Sequence, residues 1–446
     1  MNLPGIIIKY YHRLLLFNGT AVLIAAGTIV NLPQGTHDIN PVSGSSTTTA
    51  KSDTIILPLN SSEYLKKQHN SFRGAFGQGI SYMKNIPIDW DGASGKNILW
   101  KVPVSRPGGN SPVIWEDKLF ISGNEGITGY VMCFNKNTGN LIWEKDASDV
   151  PGSPTTEPKT GDDTGLSAPT MTVDSSGVYA IFGTGVLIGF DLNGTRLWAR
   201  ALGVPDNHYG HSSSLLVWDN KVIVQFDSNR GGRLIAVNTL TGESVWDVRR
   251  TSKISWASPI LIRIDGNYQI VTSSVPLVAA HDPGTGLQLW SVNCMVGEIA
   301  SSPAFCDGLV FAANEYSKLV AIQPGTVPKV IWENNEYLPE VSSPVARNGL
   351  VYIATTYGVL VCYDAKTGEK YWEYEAEEGF YSSPVIADGK VYLIDLSGVT
   401  HIFKEGKEKE IIAEPGVQEK VFATPAFADS KIYIKGEKYL YCIGNK

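Results

Sequence analysis

The stretch Ser343-Pro-Val-Ala-Arg-Asn-Gly-Leu-Val-Tyr-Ile-Ala-Thr-Thr-Tyr-Gly-Val-Leu-Val-Cys-Tyr-Asp-Ala-Lys-Thr-Gly-Glu-Lys-Tyr-Trp372 decides the fold. Its apolar pieces, Leu350 to Thr355 and Val359 to Tyr363, have strand length and are bounded by turn residues. Asp364-Ala-Lys-Thr-Gly368 is a turn in its own right, because an Asx side chain bonds its own backbone and Gly supplies a positive φ. Two markers in this stretch recur along the chain. The first is a small polar residue before Pro and an apolar strand: Ser111-Pro112, Ala168-Pro169, Ser258-Pro259, Ser302-Pro303, Ser343-Pro344, Ser383-Pro384 and Thr424-Pro425, with Ser213-Ser214 as an eighth copy lacking Pro. The second is the turn followed four residues after its Gly by Trp, which places Trp100, Trp143, Trp198, Trp246, Trp290, Trp332 and Trp372 in one register.

A period of about 40 residues in which each unit supplies four short strands, A to D, predicts an all-β, eight-bladed β-propeller of four antiparallel strands per blade. The ends test this. The eighth unit offers strand A at Phe422 to Ala428, B at Lys431 to Ile434 and C at Tyr439 to Ile443, and then the sequence stops at Lys446. Asn97 to Val104, containing Trp100, reads as a strand D with nothing before it. An N-terminal strand therefore completes the last blade and closes the ring, which removes two open edges. The repeated Trp residues are expected to pack between blades rather than form a cofactor box. In blade seven, Ile411 or Ile412 falls where Trp is expected.

Composition agrees with a folded chain: 43% of its 446 residues are hydrophobic, and 45 Gly and 24 Pro suit many tight turns. Thirty-seven Lys and Arg against 44 Asp and Glu leave a net charge of −7, which offers no basic face to nucleic acid. Lys9, His12 and Arg13 precede the uncharged apolar run from Leu14 to Val30. Residues 1–32 are read as a signal peptide or, through residues 14–32, a membrane anchor, which sends the rest to the periplasm. No Cys precedes Cys133, so no lipid acceptor stands near this segment. Residues 33–70, rich in Ser, Thr, Gly and Pro, read as a flexible linker, and 71–446 as the propeller.

Five cysteines do not suggest a disulfide framework. Cys133, Cys362 and Cys442 share one strand C position, where other units carry Gly189, Ala236 and Ala280, so that position requires a small residue. Cys294 and Cys306 flank a strand A, and a bridge between them is left open.

With the Ser-Pro strand and the Asx-Thr-Gly-Trp turn in place, residues 72–446 resemble the PQQ-binding-like, quinoprotein-type β-propeller repeat proteins of bacteria. The lead-in Phe72-Arg-Gly-Ala-Phe-Gly-Gln-Gly-Ile80, with Ile88-Asp-Trp90 and Ile98-Leu-Trp-Lys101, is similar to the opening of one exported branch of that family. The resemblance implies either a non-catalytic envelope scaffold, like the propeller lipoprotein of outer-membrane protein assembly, or a PQQ-dependent alcohol or sugar dehydrogenase. The enzyme reading implies PQQ with calcium on the axis, an Asp base and, in many members, a disulfide between adjacent cysteines, and no adjacent pair occurs here. The only sizeable insertion, Asp146 to Leu166, carries Glu157, Asp162 and Asp163, expected as a solvated loop. His208 and His211 lie near Ser212 to Ser214, but close spacing on a loop does not define a triad, and the pair is expected in a hydrogen-bonded rim loop.

A ligand or partner is expected at the axial funnel. Asn110, Ser167, His211, Trp256, Ser301, Ser342, Tyr381 and Phe422 precede the eight markers, and Trp256, Tyr381, Phe422 and His211 depart from the small residues elsewhere. Arg230 and Tyr316 add to this set from B to C loops. The expected function is a monomeric, non-catalytic envelope scaffold with a protein partner, no cofactor and no metal. PQQ-dependent dehydrogenation and glycan or small-molecule binding are the alternatives.

Overall fold

The computed structural model describes residues 60–161 and 164–445. The expected signal segment and most of the expected linker lie outside them. Eight sheets follow one another around a ring, and every blade carries the A-B-C-D antiparallel order. Their strands A are Val113–Trp115, Thr172–Val173, Leu216–Trp218, Ile260–Ile264, Ala304–Cys306, Val345–Arg347, Val385–Ala387 and Ala426–Ala428. Blade eight is completed from the other end of the chain: Ile98–Pro103 pairs antiparallel with Tyr439–Ile443, Lys101 opposite Tyr441. Strand A there starts at Ala426 rather than Phe422, because residues 422–425 rise into the mouth of the channel. No helix among the described residues is long and apolar enough to cross a membrane.

Six of the seven repeat Trp residues tie one blade to the next by a hydrogen bond. Trp100, Trp143, Trp198, Trp246, Trp332 and Trp372 donate their indole N–H to Lys136, Leu192, Thr239, Pro283, Ala365 and Gly406, all carbonyls in the C to D turn of the next blade, at 2.8–3.2 Å. The turns are preformed for this. Asp364 Oδ1 accepts from the Lys366 and Thr367 amides, and Gly368 lies against the Trp332 ring, where a Cβ would come within 2.7 Å of it. Trp290 bonds Gln269 of its own blade instead, since blade five turns through Gln323-Pro-Gly-Thr-Val-Pro328 and lacks the motif.

The small residue on strand C is explained by the same ring. Cys133, Gly189, Ala236, Ala280, Cys362 and Cys442 each sit directly across a bulge from a Trp, and a Cβ on Gly189 would meet Trp198 at 2.8 Å. In blade seven the residue at the Trp position is Ala413, not Ile411 or Ile412, and it faces Ile402 on strand C. Large and small have changed places, so the volume between the strands is kept. Blade eight has no C to D turn, because its two strands come from opposite ends of the chain, so a Trp in blade seven would have nothing to cap. All five cysteines are free thiols.

Residues 60–70, placed with the linker on composition, are packed against the propeller. Leu65 and His69 are buried, and His69 bridges to Ile114. From there the chain crosses the turn end of the axial channel and touches every blade. The Ser71 hydroxyl lies 2.7 Å from that of Thr172, Phe76 packs on Trp218 and Tyr268, Gln78 donates to Leu261, and Ile80–Ser81 adds a parallel strand beside Val385–Ala387. Arg73 is wholly buried near the axis and donates to the Pro344 and Pro303 carbonyls at 2.6 and 2.8 Å. The lead-in Phe72 to Ile80 is thus a plug.

Candidate functional site

Plugging one end leaves a single axial opening, on the face that carries the B to C loops and the D to A connections. Its wall is a closed cycle of hydroxyls. The amide of Ser111 donates to Thr170 Oγ1, and the relay continues through Ser214, Ser258, Ser302, Ser343, Ser383 and Thr424 back to Ser111, every link 2.9–3.0 Å. This is the physical content of the Ser-Pro marker: the side chain before Pro accepts from the preceding blade and locks the ring. In blade two the linking residue is Thr170, and the Ala168-Pro169 pair is displaced from the true register. Blade three uses Ser214.

The pit enclosed by this cycle has a volume of about 150 Å³, a floor of Phe72 and a mouth that includes Trp256, Val341, Tyr381 and Phe422. Tyr381 and Phe422 meet edge to face with centroids 5.7 Å apart. Trp256 is buried, donates to the Gly210 carbonyl at 2.9 Å and is covered by His208 and Tyr209, each at 5.3 Å.

Three of the residues picked from sequence therefore meet at the pit, and the others do not. Asn110 is buried behind the wall, its amide donating to Ser122 and Ser167 carbonyls. His211 packs inside blade three on Phe226, with burial holding its imidazole down at about 4. Ser301 and Ser342 are likewise buried behind the wall. The cause is a one-residue offset: the mouth is formed two residues before each linking hydroxyl, and Asn110, Ser167, His211, Ser301 and Ser342 each stand one position to the side of it. Arg230 and Tyr316 are on the same face but further out, with side chain and residue 87% and 83% exposed.

That outer face carries charge of both signs, with Arg230, Arg233 and Arg250 paired to Asp206, Asp247 and Asp227. A cleft of about 670 Å³ over blade three is lined by Arg230, Arg233, Arg249 and Arg250. The Arg250 side chain is buried and clamps Asp227 at 2.7 Å. Across blades four to six the connections bring Glu298, Glu315 and Glu340, with exposed Tyr209, Tyr316 and Tyr357 between them. Burial and the neighbouring Glu340 raise the Glu315 carboxyl above its usual range.

PQQ and calcium do not fit the axis. The pit is about half the roughly 300 Å³ at which cofactor-sized sites begin, and it is lined by hydroxyls and aromatic rings without a carboxylate. Among the described residues no group of three His, Cys, Asp or Glu is placed to hold a metal ion. Asp162 and Asp163 of the insertion lie outside the described residues.

Sequence reasoning missed the plug, which has no periodicity, and it missed Lys435. The latter had a visible signal: a lysine ends strand B of blade eight where blades five and six carry Ala313 and Ala354.

Residues 88–258 and 328–413, more than half of the chain, match the family described as outer membrane protein assembly factor BamB. None of the curated proteins matches. Among solved structures, BamB from Moraxella catarrhalis aligns at 17% identity with a TM-score of 0.58, over 77% of this chain and 98% of that one. Quinohemoprotein alcohol dehydrogenase from Comamonas testosteroni aligns at 14% with a TM-score of 0.65, over 85% and 81%. The quinohemoprotein alcohol dehydrogenase ADHIIG from Pseudomonas putida HK5 aligns at 12% with 0.63, over 86% and 81%. At these identities the structural matches speak for the fold alone.

Proposed function

The chain belongs to the family of the outer membrane protein assembly factor BamB, and on that premise we propose that it is a non-catalytic scaffold of the cell envelope that docks a protein partner on its loop face. It works on the periplasmic side, reached through residues 1–32, which either anchor it or are removed. The observation that carries this reading is the surface itself: exposed Tyr209, Tyr316 and Tyr357 lie among the carboxylates of Glu298, Glu315 and Glu340, on the same face as the arginine-containing cleft over blade three. Aromatic anchors with flanking charge of both signs suit a protein interface, where the rings supply desolvated area and the charges set orientation. A dehydrogenase would need an axial cofactor, and the plugged channel leaves only the small hydroxyl-lined pit.

A photo-crosslinking amino acid placed at 316 or 357 in cells is expected to trap a discrete envelope protein. The same probe at Leu141, on the outer edge of blade one, is expected to trap none. Equal crosslinking from both positions, or PQQ-dependent dye reduction by the purified full chain, would overturn the scaffold reading.

A further inference from the structure

Beside the axial mouth, between blades eight and one, lies a second cavity of about 440 Å³, lined in part by Pro107, Gly108, Ser167, Phe422 and Lys435. Lys435 is only 5% exposed, and its one hydrogen bond goes to the Gly108 carbonyl. An ammonium carries three N–H donors, so two remain for other partners. Among the described residues no carboxylate pairs with it. Glu419, the acid whose field reaches it, already has its two oxygens engaged by the Lys438 and Tyr439 amides at 3.2 and 3.1 Å. Glu437 lines the cavity as an exposed residue and makes no ion pair with Lys435.

A cation removed from water without a counter-charge is strongly disfavoured, and proteins pair such groups or leave them for a ligand. The second observation is Ser167, whose Oγ is buried in the same cavity wall with no hydrogen-bond partner. The two groups share a space that also offers the Phe422 ring and Pro107 as an apolar wall. We propose that this cavity binds a small carboxylate, with Lys435 as counter-ion, Ser167 as hydroxyl donor and Phe422 against the apolar body of the ligand. Burial holds the Lys435 ammonium down at about 8, and a bound carboxylate reverses that pull. The site is separate from the partner-docking surface and does not depend on it.

The test uses the full chain in detergent. Sodium benzoate, benzamide and inorganic phosphate are titrated calorimetrically at constant ionic strength. An acetylated tripeptide ending in phenylalanine, as free acid and as amide, tells a free organic acid from a peptide C-terminus. Benzoate or the peptide acid is expected to saturate, benzamide and the peptide amide are not, and Lys435→Met is expected to weaken binding at least tenfold. Met is tolerable there because strand B of the adjacent blade seven ends on an apolar side chain of similar size, Ile394. A second readout needs no variant: acylation of Lys435 mapped by mass spectrometry across pH 6 to 10 is expected to shift to higher pH in saturating benzoate. Equal affinity of benzoate for Lys435→Met, an unmoved labelling profile, or binding of phosphate in preference to every carboxylate would overturn the assignment.

Discussion

His69 shows how much one side chain carries. Its Nδ1 accepts from the Phe427 amide at 3.3 Å, and its backbone bridges to Ile114, so it holds the incoming chain to blades eight and one. Burial pushes its imidazole down to about 3, so the folded protein keeps it neutral. The unfolded chain binds a proton near pH 6.5 and the folded chain does not, so this residue's contribution is intact above that value and is lost as pH falls towards 3. By pH 4.5 the loss is about 2 to 3 kcal/mol. His69→Asn retains an acceptor that does not titrate, and urea unfolding at pH 7 and pH 4.5 is expected to show a smaller acid loss than in the parent. His401 has the opposite sign. Burial, the largest single influence, lowers its pKa, but hydrogen bonds to Asp395 at 3.0 Å and Glu414 at 2.8 Å outweigh it and leave it raised. Its contribution is therefore full below about pH 6.5 and fades as pH rises through the raised value. His401→Gln is expected to flatten the fall in thermal midpoint between pH 6 and 9.

Within a blade, the pairing of a large with a small residue across the strand C bulge decides what each position tolerates. Blade seven, with Ile402 opposite Ala413, is the natural exchange of that pair. Ala413→Trp alone drives an indole into Ile402, and Ile402→Ala alone opens a cavity that costs about 2 to 5 kcal/mol. The double variant is expected to be less destabilised than the sum of the singles by about 1 to 3 kcal/mol, read from chemical denaturation. Strict additivity would show that the two side chains do not share one volume. Much of this was legible in the sequence, because turn chemistry and the Trp spacing are local and periodic. The exchange was misplaced onto Ile411 and Ile412 because the short strand D of blade seven has no Trp to set its register. The plug was invisible for a different reason: Arg73 is held by the carbonyls of two distant Pro residues, and a carbonyl leaves no trace in side-chain pattern. The pit was legible only in part, since Trp256, Tyr381 and Phe422 broke the repeat visibly while the offset of their neighbours depended on which hydroxyl closes each link.

For the molecule as a whole the question is where a closed ring opens. Seven junctions between blades follow chain order; the eighth, from blade eight to blade one, carries the Thr424 amide on the Ser111 hydroxyl and the Trp100 indole on Lys136, and inside blade eight Ile98–Pro103 against Tyr439–Ile443 joins the chain's two ends. Blade seven presents no Trp to blade eight, so that junction, like the one between blades four and five, lacks the indole hydrogen bond that staples the other six. The buried cysteines report on this directly, because Cys133, Cys362 and Cys442 occupy equivalent positions in blades one, six and eight and burial pushes each thiol up to about 12. A thiol this far from ionisation reacts only after its blade opens. In the intact chain the three are expected to label at one common rate, set by cooperative opening of the ring. Deleting residues 96–104 removes the strand that covers Cys442 and the indole of Trp100 that reaches Lys136 in blade one. Nearest-neighbour coupling then predicts that Cys442 labels first, Cys133 next and Cys362 last, with the first and last separated by more than tenfold. A deletion variant that still labels all three together would mean that the core plug, rather than the terminal strand, holds the ring shut.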